Sequence, residues 1–153
     1  MKMDGDIRVR TDRRHRMLYN DLKNFAVGDM HELFFLCTCL GYKAQKSKPL
    51  GKNGDDRFYS RTFTTDEWSC FYAIMIEMNK MDFNSILDDK TVIGSMESYA
   101  NAGMQILLDE ILDAYVVNDP AGPKLDINKN KELPKIILSF IYEQIPEHYQ
   151  EGG

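Results

Sequence analysis

HELFFLCTCL, residues 31–40, carries no charged side chain after its first two positions. A helix that is apolar on nearly every side is buried on nearly every side, so this stretch is predicted to be the central helix of the fold. The residues before it, Asp29-Met30-His31-Glu32, read as a capping box, with Asp29 accepting from first-turn amides and Glu32 reaching back. Gly41 is expected to stop the helix.

Working towards the N-terminus, Gly28 closes a preceding helix whose apolar positions Met17, Leu18, Leu22, Phe25 and Ala26 fall at helical spacing. Thr11 or Asp12 is placed to cap it. Ahead of that, Ile7 and Val9 alternate with Arg8 and Arg10, the period of a short strand with one apolar and one basic face.

Towards the C-terminus, residues 42–63 hold lysines, Pro49 and the turn formers Lys52-Asn53-Gly54, which predicts a basic loop or small hairpin. Thr64-Thr65-Asp66-Glu67 is a second capping box. It opens a helix with an inward stripe of Trp68, Phe71, Tyr72, Met75 and Met78. A short connection around 81–89 leads to the longest helix, about 91–116, in which Ile93, Met96, Ala100, Gly103, Leu107, Ile111 and Ala114 share a face. Ala100 and Gly103 are small enough to admit a neighbouring helix closely. The run NDPAGPKLDINKNK after Val117 has no periodicity, and Ile136, Ile137, Phe140, Ile141 and Tyr142 mark a last helix with Pro134 in its first turn. The expected fold is mainly α: a single-domain bundle of about five helices with a short N-terminal strand. Residues 1–118 form the core with a basic N-terminal end, 119–132 a connector, 133–146 a C-terminal helix packed on the same domain, and 147–153 a tail.

The 153 residues are 43% hydrophobic and 28% charged, the composition of one globular domain able to bury a core. No run approaches the roughly 18 to 20 apolar residues of a membrane span. The N-terminus lacks the apolar heart of a signal peptide, so a cytoplasmic location without membrane contact is expected. Three cysteines, Cys37, Cys39 and Cys70, form no disulfide framework and suit reduced thiols. The net charge of −5 is unevenly spread: residues 1–61 hold 13 Lys and Arg against 8 Asp and Glu, and the remainder holds 6 against 16. A basic end and an acidic end are expected, the first attractive to polyanions.

A strand of alternating arginines followed by capped helices is the element order of ribbon-helix-helix DNA binders, in which strands of two subunits pair in the major groove. On that pattern Arg8 and Arg10 face the groove while Arg13, Arg14 and Arg16 meet phosphates, and the protein is a homodimer. The alternative is an edge strand protected by charge. Lys43, Lys46, Lys48 and Lys52 extend the DNA-contacting set. The interleaved Tyr42, Phe58, Tyr59 and Phe63 either stack on bases or pin the loop to the core. Gly51-Lys52 is followed by Asn53 and preceded at five residues by Lys46, so it is not a Walker loop. Cys37 and Cys39 point to different sides of a helix and do not converge on a metal. His15, His31 and His148 lie in unrelated elements. Asp109, Glu110 and Asp113 are the sole basis for a metal-dependent nuclease, and they lack a basic or nucleophilic partner in register. No catalytic residues, metal or cofactor are expected.

Two segments, LGYKAQKSKPLGKNGDDRFYSRTF (40–63) and ESYANAGMQILLDEIL (97–112), resemble the bacterial Dnd system-associated protein 4 family. The matching motifs are Gly41-Tyr42-Lys43, Pro49-Leu50-Gly51 and Tyr99-Ala100-Asn101-Ala102-Gly103, and the likeness runs from about Ile7 to Val117. The region around Glu77–Asp82 departs from the pattern, and the chain after Asn118 is not clearly covered. The resemblance implies an accessory protein encoded beside DNA phosphorothioation genes, in an anti-phage defence system whose other proteins would be its partners. It carries over no catalytic residue. Asn101, polar within a packing seam, must find a hydrogen-bond partner. A pure protein–protein assembly module without nucleic-acid contact is the alternative function.

Overall fold

The structure, a computed structural model, describes residues 6–126, 128 and 131–144. Strand β1 (Arg8–Asp12) enters a 3-10 turn (Arg13–His15) that runs into α1 (Arg16–Leu22). Asp12 accepts the Arg14 backbone N–H, the cap expected of it. A π-turn over Lys23–Val27 ends at Gly28, whose φ of 97° suits a residue without a Cβ.

The apolar stretch lies in α2 (Met30–Lys43), with Leu33, Phe34 and Cys37 fully buried. Two expectations about its ends are corrected. Asp29 stands at the N-cap without a side-chain capping bond; its carboxyl acts on Glu32 instead and raises the Glu32 pKa. Gly41 does not stop the helix but sits buried inside it, because its missing side chain serves packing against α4 (Asp89–Glu110). A Cβ on Gly41 would lie within 3 Å of the Tyr99 carbonyl, and one on Gly103 within 3 Å of the Cys37 carbonyl. The two helices therefore touch backbone to backbone, and Gly103 admits its neighbour as its size predicts.

Strand β2 (Gly54–Tyr59) follows a 3-10 turn at Gly51–Asn53 and pairs antiparallel with β1. Val9 lies opposite Phe58 and Asp12 opposite Gly54, with a register shift between Val9 and Arg10. The arginine strand is thus paired with a strand of the same chain. The Arg10 N–H is taken by the Glu97 carboxylate of α4 at 2.7 Å. The strand therefore carries an internal ribbon on one edge, and the Arg10 N–H that a further strand would need is already taken by α4.

Helix α3 (Thr65–Met78) opens on the complete Thr64–Glu67 capping box. Trp68, Phe71 and Met75 are buried, Tyr72 is half-buried and Met78 is 43% exposed at the helix end. Phe34, Phe58, Phe63 and Phe71 meet edge-on or tilted at centroid distances of 4.9–6.4 Å, joining α2, β2 and α3. Truncating such a ring costs about 3–5 kcal/mol. Helix α4 is shorter than expected, ending at Glu110, with a 3-10 turn at Leu112–Tyr115 and Ala114 exposed. Beyond it, a hairpin of β3 (Val116–Asp119) and β4 (Gly122–Leu125) runs from the expected helix end into the expected connector. The β-branched pair Val116-Val117 leaves the helix to pair across it, and the Leu125 N–H bonds Asp21 of α1 at 3.1 Å. Helix α5 (Leu133–Gln144) buries Leu133, Ile137 and Phe140 in the common core. Residues 145–153, including the helix end and tail expected there, lie outside the described residues. The architecture is mainly α, with five α-helices among the described residues.

Candidate functional site: a basic cleft

Three chain segments far apart in sequence meet beside the turn that follows β1. The 3-10 turn presents Arg13 and Arg14, and α1 begins with Arg16. Opposite stand Lys48 and Asn53 of the mid-chain loop, and the far wall is the β3–β4 turn at Pro120 and Ala121. Together with Asp12 and Met17 they line a cavity of about 560 Å³.

Each wall has a local cause. The loop is fastened at Lys48, whose N–H donates to the Ser98 carbonyl at 2.9 Å while its own carbonyl accepts from Asn101 Nδ2 at 3.0 Å. Asn101 thus finds the partner its burial demands. The hairpin turn reaches the cleft because Gly122, at φ 138°, lies so close to the Arg14 carbonyl that a Cβ would overlap it. Arg14 donates from Nη2 to Gln105 Oε1 at 2.6 Å, and Gln105 donates in turn to Asp109 at 2.9 Å.

The nine expected DNA-contacting residues are only partly brought together. Arg13, Arg14, Arg16 and Lys48 line the cleft. Lys46 borders an adjoining cavity shared with Lys48, and exposed Lys52 is next to Asn53. Arg8 lies on the ribbon in an ion pair with Asp56 at 2.8 Å, and the Arg10 guanidinium folds back onto the Gly54 carbonyl at 3.0 Å. Lys43 is elsewhere, donating to the Gln144 carbonyl of α5. Asp55, unremarked in the sequence, organises the site's edge: it pairs with both Arg16 and Arg57. Burial lowers the pKa of Arg57, which lies over the Tyr19 ring and donates to Thr11 Oγ1 at 2.7 Å. Pro120 and Ala121 are the other residues that sequence reasoning missed; a Pro-Ala-Gly turn between Val117 and Leu125 was the available signal.

Three of the four interleaved aromatics, Tyr42, Phe58 and Phe63, pack against the core, while Tyr59 is 37% exposed. Phe58 and Phe63 belong to the core ring cluster, and Tyr42 packs edge-on against Tyr99. Tyr59 has Arg8 and Arg61 over its ring at 5.6 and 5.0 Å. Among the described residues no aromatic ring lines the cleft. The expected separation of charge is incomplete, since a second cavity of about 450 Å³ shares Arg14, Pro120 and Ala121 with the cleft and is lined by Asp109, Asp113 and Asp119.

Other reactive groups lie apart from the cleft's lining. His15 is buried, its Nδ1 lacks a hydrogen-bond partner, and burial lowers its pKa to about 4. Cys39 and Cys70 meet across α2 and α3, a convergence not foreseen. Their mutual interaction lowers Cys70 to about 7 and raises Cys39. Asp29, His31 and Glu32 bring ligand atoms within 4.8 Å of one another, with Asp29 and Glu32 exposed and His31 Nδ1 engaged by Glu67 at 2.9 Å. Comparison with known proteins adds no identity: no family model, no curated protein and no solved structure matches the chain.

Proposed function

We propose that this chain is a non-enzymatic accessory protein of a bacterial DNA phosphorothioation (Dnd) modification and anti-phage defence system, one that grips DNA through the basic cleft and docks a partner protein of that system. The observation that carries the DNA half is the meeting of Arg13, Arg14, Arg16 and Lys48 in one cavity. Guanidinium forks and an ammonium suit phosphate oxygens. With no ring among the described residues of the lining, contact runs through the backbone and not through stacked bases, so binding weakens steeply with salt. The system assignment rests on the resemblance in residues 40–63 and 97–112.

Salt-titrated fluorescence anisotropy with plain and phosphorothioate duplexes tests this. Arg13→Ala with Lys48→Ala is expected to weaken binding about tenfold and to reduce the log–log salt slope by about two. Arg8→Ala with Arg61→Ala is expected to change it less than about twofold. Absence of duplex binding at low salt, or equal effects of the two pairs, overturns the DNA half.

A second function is favoured by one observation: Arg8, Arg16 and Arg61 already face Asp56, Asp55 and Asp6. Cations so matched suit a pure protein–protein module without nucleic-acid contact. Co-purification with products of neighbouring genes, together with no DNA shift, is its expected outcome.

A further inference from the structure

Between α3 and α4 the chain displays large apolar side chains that the core does not bury, and of these Met78 accepts at Sδ from the Tyr99 hydroxyl at 3.6 Å. Met78 is 43% exposed, Met81 63%, Phe83 64% and Leu87 76%, all within ten residues. Singly exposed apolar residues are ordinary, but a run of this kind marks an interaction surface.

The backbone holds the run outward. Helix α3 closes with Lys80 N–H on the Glu77 carbonyl at 3.3 Å and Met81 N–H on the Ile76 carbonyl at 2.8 Å, the pattern of a Schellman motif. That motif favours glycine at its left-handed position. Here Lys80 occupies it at φ 56°, and Met81 follows at φ 65°. The residue after the left-handed one often folds back onto the helix; Met81 in that place is 63% exposed. The next turn, Phe83–Ile86, is fixed by Asp82, which accepts the Asn84 N–H at 2.9 Å and, through its carbonyl, the Ser85 hydroxyl at 2.7 Å. Ile86 packs against the core. Phe83 and Leu87 are thus presented by an ordered turn, and backbone held in a sparsely populated conformation concentrates at binding sites.

The charge around the run selects an occupant. From Glu77 to Lys90 the carboxylates of Glu77, Asp82, Asp88 and Asp89 stand against two lysines, Lys80 and Lys90. We propose that residues 78–87 form a docking surface for a partner-protein segment bearing apolar side chains flanked by lysine or arginine. The surface deepens the docking half of the function above and does not depend on the DNA half. Unbranched Met81 adapts to the incoming side chains, while Phe83 and Leu87 supply rigid apolar area.

A fluorescent helical Leu/Lys peptide, and a matched Leu/Glu peptide, probe the surface on the full chain. The wild type is expected to bind the Leu/Lys peptide at least about tenfold more tightly than the Met81→Ser/Phe83→Ser/Leu87→Ser variant does, and to ignore the Leu/Glu peptide. Unchanged helical circular dichroism and unchanged duplex affinity in that variant show that fold and cleft are intact. Equal Leu/Lys binding by variant and wild type, equal binding of the two peptides, or no binding overturns the proposal. So does self-association in sedimentation equilibrium that the variant abolishes, since the occupant is then a second copy. Loss of duplex binding alone, with peptide docking intact, overturns the DNA half and leaves this surface standing.

Discussion

On the β1–β2 ribbon, Arg8 faces Asp56, Arg57 shares Asp55 with Arg16, and Arg61 faces Asp6. Around the cleft, Arg13 and the Lys48 ammonium have no carboxylate partner among the described residues, and Arg14 rests on the neutral amide of Gln105. Both groups belong to the same basic half of the sequence. What separates them is a strand pairing that joins residues more than 40 positions apart and sets Asp55 and Asp56 opposite Thr11 and Arg10. Net charge counts cations, whereas pairing decides which of them remain to meet a polyanion.

The strongest way to sharpen this contrast is at Asp55. Asp55→Ala strips the carboxylate from Arg57, whose side chain is 5% exposed, and is expected to cost about 3 kcal/mol in urea unfolding. Asp56→Ala, which removes only an exposed partner, leaves the midpoint where it was. Equal losses would erase the difference between the two carboxylates.

Gly122→Ala comes next. Its methyl must displace the turn from the Arg14 carbonyl and adopt an unfavourable φ, at an expected cost of about 2 kcal/mol. The turn forms the cleft's wall and takes no part in the ribbon, so duplex affinity is expected to fall even where the protein remains folded. Unchanged affinity would show that the wall is irrelevant to the cations it faces.

The smallest effect concerns the carboxylate that closes the free edge of β1. Burial raises Glu97 to about 7, against an ordinary 4.5. The folded chain keeps that proton where the unfolded chain has released it, so this group's contribution to stability falls as pH rises from about 4.5 to 7. Glu97→Gln keeps an acceptor for the Arg10 N–H and removes the titration. Its stability relative to wild type is expected to grow by on the order of 1 kcal/mol across that window, followed by unfolding at several pH values. A constant difference would mean that Glu97 does not titrate there. The buried His15 contributes in the opposite direction, because its pKa falls to about 4, and it is common to both proteins being compared.

Much of the fold was legible because local rules and tertiary demands agree. Thr64 and Glu67 form the box they spell, Asp12 caps the turn it precedes, and Gly28 ends the first helical segment. Gly41 misled because a glycine that terminates a helix and one that admits a neighbouring backbone look alike in sequence. The β3–β4 hairpin was hidden because Pro120, Gly122 and Pro123 read equally well as linker chemistry. Of the site, the sequence supplied the cations but not their fates. Arg8 and Arg13 are five residues apart in one basic run, and only the ribbon's register gives the first a partner. Nothing local could place the Pro120–Ala121 wall against Arg14, since that contact spans the whole core.

The fastening of Lys48 to α4 has a mechanical consequence. Its N–H and carbonyl are both bound to one rigid helix, so the root of this side chain is fixed to the scaffold while only its methylene arm remains free to swing. On the proposed function, the loop's central charge needs little further ordering to meet a polyanion, which lowers the entropic penalty of association. Lys46 and Lys52, two and four residues away, flank that fixed post, so a ligand of variable curvature can be met without moving the anchor.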